Sequence, residues 1–234
     1  MTASTHPYYP EDASIPSFAP NTAPIPVLLG TFGGLIAVVV LTSLSIAKRL
    51  DSRLSTYDQL VFCWFVLCGF LHLFFEGYFV LKHASIPASQ SLFAQLWKEY
   101  ALSDSRYMVS DPFMLCIESL TVVLWGPLCV AIAISIAKGS SLRTPLQIIM
   151  CVGHLYGVLL YFGTCFYETH FRGINHSRPE TLYYWGYFVG MNFPWVVVPS
   201  FLLKQSVVVS YRAILQGGGD AIHQTERNSR PKKD

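Results

Sequence analysis

LVFCWFVLCGFLHLFFEGYFV, residues 60–80, is apolar for the length of a bilayer crossing, yet it carries a histidine and a glutamate near one end. A helix of about 20 apolar residues spans the hydrocarbon core. An ionisable side chain at mid-membrane costs about 2.5–3.5 kcal/mol on insertion scales, so such groups mark function. His72 and Glu76 are four apart and share one face of a helix. The carboxylate can bond one imidazole nitrogen, fix the tautomer and raise the ring's basicity. The pair can hold a proton in a dry site. The alternative is a histidine–acid bond that joins two helices, although Ser, Thr or Asn do this at lower cost.

Working outward, four more runs reach spanning length. The five predicted spans are 24–47, 59–81, 112–137, 146–167 and 183–209. They are too long and continuous for barrel strands, and a helical bundle is the other structure that satisfies its backbone in lipid. The fold class expected is an all-α integral membrane protein, a five-helix bundle. Composition agrees: 52% of the 234 residues are hydrophobic and 13% charged, against about 25% charged in soluble domains. The net charge of +2 argues for no nucleic-acid partner. Neither a phosphate loop nor a dinucleotide fingerprint is present.

Residues 1–22 read as a disordered leader, rich in Pro, Ser, Thr and Tyr and without the basic start of a signal peptide. Residues 23–210 form the five-span domain, and 211–234, entered through the glycine run 217–219, a flexible tail. Lys48, Arg49, Arg53, Lys138, Arg143, Arg212, Arg227, Arg230, Lys232 and Lys233 follow spans one, three and five. The opposite side holds fewer, namely Lys82, Lys98, Arg106, Arg172 and Arg178, and the leader has none. Positive residues mark the cytoplasm, so the leader is expected to be lumenal and the tail cytoplasmic. In the long loop 82–111, residues 91–101 read as a short amphipathic helix with Leu92, Phe93, Leu96 and Trp97 toward lipid.

A second apolar run, 112–137, holds Glu118, Thr121 and Trp125 on one face. Hydrocarbon opposes ionisation, so Glu118 can carry a proton and act as a general acid, oriented by Thr121. The plainer reading is a neutral acid bonded to a carbonyl. Asn192 and Trp195 flank Pro194 in span five. Asn192 can bond Glu118 or a ligand hydroxyl, and Trp195 can offer its π face to a cation; ordinary interhelical packing is the alternative. His154 reads better as a satisfied core histidine than as a site residue. Tyr183, Tyr184, Trp185 and Tyr187 read as an interfacial belt, with a cavity lining the alternative for one or two of them. The six cysteines form no CxxC pair and read as reduced, buried hydrophobes, so no metal is expected. What remains is proton chemistry on an apolar molecule or capture of an amphiphilic amine.

The strings HLFFEGYF (72–79), LWKEYALSDSRYMVSDPF (96–113), CIESLTVVLWGPL (116–128), VGHLYGVLLYF (152–162) and YFVGMNFPWVVVP (187–199) closely resemble the emopamil-binding protein family, which shares the EXPERA domain with sigma-2-type receptors. The resemblance implies a five-helix endoplasmic-reticulum bundle with an intramembrane cavity. It also implies a cholestenol Δ-isomerase activity on 8-ene sterols, with no cofactor. A proton adds at carbon 9, a cation forms at carbon 8, and a proton leaves carbon 7. By the same resemblance His72, Glu76 and Glu118 handle the protons, and Thr121, Asn192 and Trp195 serve the activity, Trp195 by stabilising the cation; with Trp125, on the face of Glu118, and Tyr107 they make up the set expected to bind the sterol or its cation. Asp104, Arg106, Tyr107 and Asp111 shape the cavity rim. Lipophilic amines are the expected inhibitors; membrane lipid surrounds the chain, and a homodimer is left open.

The chain departs from animal members at His154, where they carry glutamine, and at Val158, where they carry aspartate. Phe193-Pro194 replaces small or apolar residues. These changes bear on cavity shape and sterol preference. Two other functions stay open: a sigma-2-type sterol or amine receptor without catalysis, and a membrane cyclase acting on a terpenoid. The basic tail lies near, but outside, a dilysine retrieval pattern and could instead meet anionic lipid.

Overall fold

A computed structural model describes residues 6–50 and 54–229, with side chains through Gln216. Five long apolar helices are present: α1 (Ile25–Leu50), α2 (Thr56–Lys82), α4 (Pro112–Ala137), α5 (Arg143–Arg172) and α6 (Leu182–Gln216). A short α3 (Leu92–Tyr100) sits between α2 and α4. No strand occurs among the described residues. The spans begin and end within a few residues of the expected bounds, because local chemistry sets the ends. Ser55 accepts from the Asp58 amide at 3.1 Å to start α2, and Asp111 accepts from the Met114 amide at 3.0 Å ahead of Pro112 to start α4. Gly173, at φ 69°, closes α5 in the left-handed region that favours glycine.

α2 packs against α1 on one side and α4 on the other, and α5 packs against α6. α1 buries only Leu28, Ser43 and Ala47. Val38, Leu41, Leu159 and Phe201 are among the large apolar side chains left on the outer surface, as a lipid-facing bundle requires. Two apolar cores fill the interior. One, on the leader side, gathers Phe79, Ile86, Trp97, Tyr107, Met114 and Phe188. The other gathers Phe65, Cys68, Cys129, Ile132, Met150, Cys151 and Leu202.

Three expectations are corrected. The leader is not disordered over its described part. Tyr8 and Ile15 are buried in the leader-side core, and the Tyr8 hydroxyl donates to Lys98 O at 3.0 Å. Gln95 Oε1 accepts from the Thr22 and Ala23 amides at 2.9 and 2.8 Å, and Lys98 Nζ donates to Ala19 O at 2.8 Å. Pro and Ser read as disorder, but α3 supplies partners for the backbone groups they leave exposed. Residues 1–5 lie outside the described residues. α3 itself turns only part of its apolar face outward: Leu92 is exposed and Phe93 half-buried, but Leu96 and Trp97 are buried, and the Trp97 indole N–H donates to Phe75 O at 3.0 Å. Finally, the α6 backbone stays helical past the 217–219 glycines to Ser229. Arg53, Arg230, Lys232 and Lys233 of the orientation argument lie outside the described residues, as does the side chain of Arg227.

A buried ion pair fastens the 82–111 loop. Arg106 Nη2 donates to Asp104 Oδ2 at 2.6 Å, Nη1 donates to Thr164 of α5 at 2.8 Å, and the guanidinium lies 5.3 Å from the Tyr161 ring. Asp104 and Arg106 therefore hold the loop down rather than line the cavity rim, and Asp111 is spent on the α4 cap.

Candidate active site

The three spans that carry the candidate residues each contain a wide π-type turn: Leu71–Glu76 in α2, Thr121–Trp125 in α4 and Leu182–Gly190 in α6. Such turns concentrate at functional sites because they re-aim side chains. Two have a cause in the sequence. Pro127 has no N–H to give a normal helical bond and crowds the carbonyl four residues back, so the turn before it widens; Pro194 does the same below Gly190. Asn192 fills part of the gap by donating its amide to Phe188 O at 2.8 Å.

Two glycines let the walls close. A Cβ at Gly126 would lie 2.6 Å from Leu73 Cδ2, so only glycine admits α2 at this approach. A Cβ at Gly153 would lie 2.8 Å from Trp125 Cζ2, so the indole lies flat on α5 beside His154.

The result is a cavity of about 380 Å³, within the usual range for a small-molecule site. His72, Glu76, Glu118, Thr121, Trp125, Tyr107, Asn192 and Trp195 all line it. Every site residue expected from the sequence is thus brought to one chamber. His72 Nδ1 meets Glu76 Oε2 at 2.7 Å. Glu118 Oε1 accepts from the Tyr107 hydroxyl at 2.7 Å. Thr121 donates to the Glu118 carbonyl at 2.7 Å and lies 3.4 Å from Oε2. Glu76 and Glu118 face the same cavity from α2 and α4. Trp125, Trp195, Trp97 and Phe75 provide the apolar and π surface.

Some placements differ from expectation. Asn192 donates to the Tyr100 hydroxyl at 3.2 Å rather than to Glu118. Tyr187 leaves the interfacial belt, is buried, and donates to Glu99 Oε1 at 3.1 Å, whereas Tyr184 and Trp185 stay exposed. His154 is not a satisfied core histidine: it lines the cavity, its Nε2 lies 3.0 Å from His72 Nε2, and its Nδ1 has no partner. Sequence reasoning also passed over Glu99 and Tyr100, which line the cavity from α3. Burial pushes the Glu99 carboxyl up, while the Tyr187 hydrogen bond and Arg178 partly offset it. Burial pushes the Tyr100 hydroxyl up to about 12. Their signal was the amphipathic pattern of 91–101, in which Leu96 and Trp97 were read as facing outward but are buried.

The EXPERA (EXPanded EBP superfamily) family model matches residues 92–206. The 3-beta-hydroxysteroid-Delta(8),Delta(7)-isomerase of Cavia porcellus is 39% identical over 217 residues, covering 91% of this chain and 92% of that protein. The chain belongs to the EXPERA superfamily. A probable isomerase of the same name from Oryza sativa subsp. japonica is 34% identical, with 86% of this chain and 90% of that protein covered. A protoglabretal synthase of Ailanthus altissima is 31% identical over the same shares, 86% and 90%. EXPERA membership accounts for the five-span bundle. The matched segment contains Glu118, Thr121, Trp125, Asn192 and Trp195, while His72 and Glu76 lie ahead of it.

Proposed function

We propose that this EXPERA protein is a 3β-hydroxysteroid Δ8,Δ7-isomerase. The observation that carries the reading is the meeting of Glu118 with the His72–Glu76 pair in one apolar, tryptophan-walled chamber. Glu118 Oε1 accepts from Tyr107, while Oε2 has a long 3.4 Å contact to the Thr121 hydroxyl, whose shorter bond goes to a backbone carbonyl, so Oε2 is the oxygen placed to present a proton to the ring alkene. Protonation at carbon 9 leaves the cation at carbon 8. The faces of Trp195 and Trp125 stabilise it, and the chamber keeps water from trapping it. The His72–Glu76 pair takes the proton from carbon 7, the imidazole and carboxylate sharing it as one unit. General acid–base catalysis of this kind contributes about 10²–10⁴-fold. No cofactor enters.

The names of the mammalian and plant relatives support this substrate class. The excess of Lys and Arg after spans one, three and five supports a lumenal leader and a cytoplasmic tail, and the family resemblance supports the endoplasmic-reticulum membrane. Expression in a sterol-isomerase-deficient host tests the reading. Disappearance of accumulated 8-ene sterols is the expected result; persistence, with the chain present in the membrane, refutes it in favour of a terpenoid substrate or a non-catalytic receptor.

A further inference from the structure

Beside the proton-handling carboxyls, His72 also belongs to a cluster whose other two members, His154 and Cys129, the isomerase chemistry does not use. A ring nitrogen of His72, a ring nitrogen of His154 and Cys129 Sγ lie within 4.8 Å of one another, and all three residues are buried. They come from α2, α5 and α4, so three separate helices converge on this point. We propose that His72, His154 and Cys129 form a binding site for a thiophilic divalent cation of the zinc class, and that its occupancy silences the proton pair.

Four observations carry this. The donor set, two imidazoles and one thiol, is that of an open zinc site, with a fourth position for water or another ligand. Ligand distances of about 2.0–2.3 Å place neighbouring donors about 3.2–3.8 Å apart in a tetrahedron. The two Nε2 atoms, at 3.0 Å, are slightly closer than that spacing, and the thiol lies within 4.8 Å of both, so the three donors need adjust only by side-chain shifts to enclose an ion. His72 is backed through Nδ1 by Glu76 at 2.7 Å, the carboxylate–histidine arrangement that turns the other ring nitrogen's lone pair toward a metal. Charge also balances: a divalent ion, the Cys129 thiolate and the Glu76 carboxylate sum to zero, which a low-dielectric interior demands.

The two histidines line the cavity, so an ion reaches the site by the route the sterol takes. On binding, Cys129 gives up its thiol proton and the ion takes the His72 Nε2 lone pair. His72 can then no longer exchange a proton with Glu76. The silencing part of this proposal rests on the isomerase reading; the binding part does not.

The test uses the purified full chain in detergent, stripped with a chelator and titrated with Co²⁺. A near-ultraviolet thiolate-to-cobalt band that saturates at one ion per chain and is displaced by Zn²⁺ is expected. Cys129→Ser should lack the band, and His154→Gln should bind roughly tenfold or more weakly. Zn²⁺ should inhibit sterol turnover by the unaltered chain, while Cys129→Ser keeps the basal rate and resists Zn²⁺. If Cys129→Ser does not fold, as judged by thermal unfolding, the His154→Gln titration carries the comparison. Absence of the band in the unaltered chain, or its persistence in Cys129→Ser, overturns the site. A band with Zn²⁺-indifferent turnover overturns the silencing. A chain that binds Co²⁺ but isomerises no sterol leaves the site standing and refutes the catalytic reading instead.

Discussion

The two ends of the chamber are held by different forces. At the leader end, directional bonds dominate: Arg106 with Asp104, Lys98 with the leader backbone, Gln95 with two leader amides, Tyr187 with Glu99. At the other end, Phe65, Cys68, Cys129, Ile132, Met150 and Cys151 pack with hardly a polar bond between them. The difference follows the solvent. Lipid provides no hydrophobic drive for helices to associate, so the deep end relies on close contact of small side chains. The leader end lies near the water boundary, where ordering a loop requires bonds that water does not replace. The chemistry sits between the two, attached to both: Tyr107 reaches Glu118 from the loop, and Trp125 lies on Gly153 of the deep wall.

Four changes break or sharpen that contrast. The largest effect belongs to the chamber itself. Glu118→Gln should cut sterol turnover by about 10²–10⁴-fold, with thermal unfolding in detergent nearly unchanged; unimpaired turnover would remove Glu118 from the mechanism. Next, Arg106→Leu leaves Asp104 charged and unpaired in a buried place. It should cost about 3–5 kcal/mol of stability, with much of the loss recovered when Asp104 is also changed to Leu. An unmoved melting temperature would show that the deep end alone sustains the fold. Gly153→Ala drives a methyl into the Trp125 ring and should cost about 1–3 kcal/mol while raising KM for the sterol, measured on the purified chain. Tyr8→Phe is the smallest. It removes one hydrogen bond worth about 0.5–1.5 kcal/mol and should speed protease cleavage of the leader, leaving the membrane helices protected.

Much of this was legible in the chain. The five spans followed from apolar length alone; the caps that set their ends, Ser55, Asp111 and Gly173, emerge only in the structure, and so α2 and α5 run beyond the bounds read from hydropathy. The candidate site was marked by ionisable groups placed where hydrocarbon penalises them: His72, Glu76 and Glu118, read from two separate spans, line one cavity. The π turns were not legible: Pro127 and Pro194 announce a break in the helix, but whether it kinks or widens depends on the neighbouring helix. His154 was misread because its partner, His72, lies 82 residues earlier on another helix. The leader was misread because composition reports only what a segment can do alone. Its partners, Gln95 and Lys98, belong to α3.

Bonds from α3 hold Tyr8, Ala19, Thr22 and Ala23 against the same short helix that presents Trp97 and Tyr100 to the chamber. That roof of the chamber and the amino-terminal stretch are therefore one mechanical piece. Trimming that stretch, by a protease or by a truncated expression plasmid, slackens the roof while the walls stand, so catalyst prepared with and without it should admit guest molecules at different speeds.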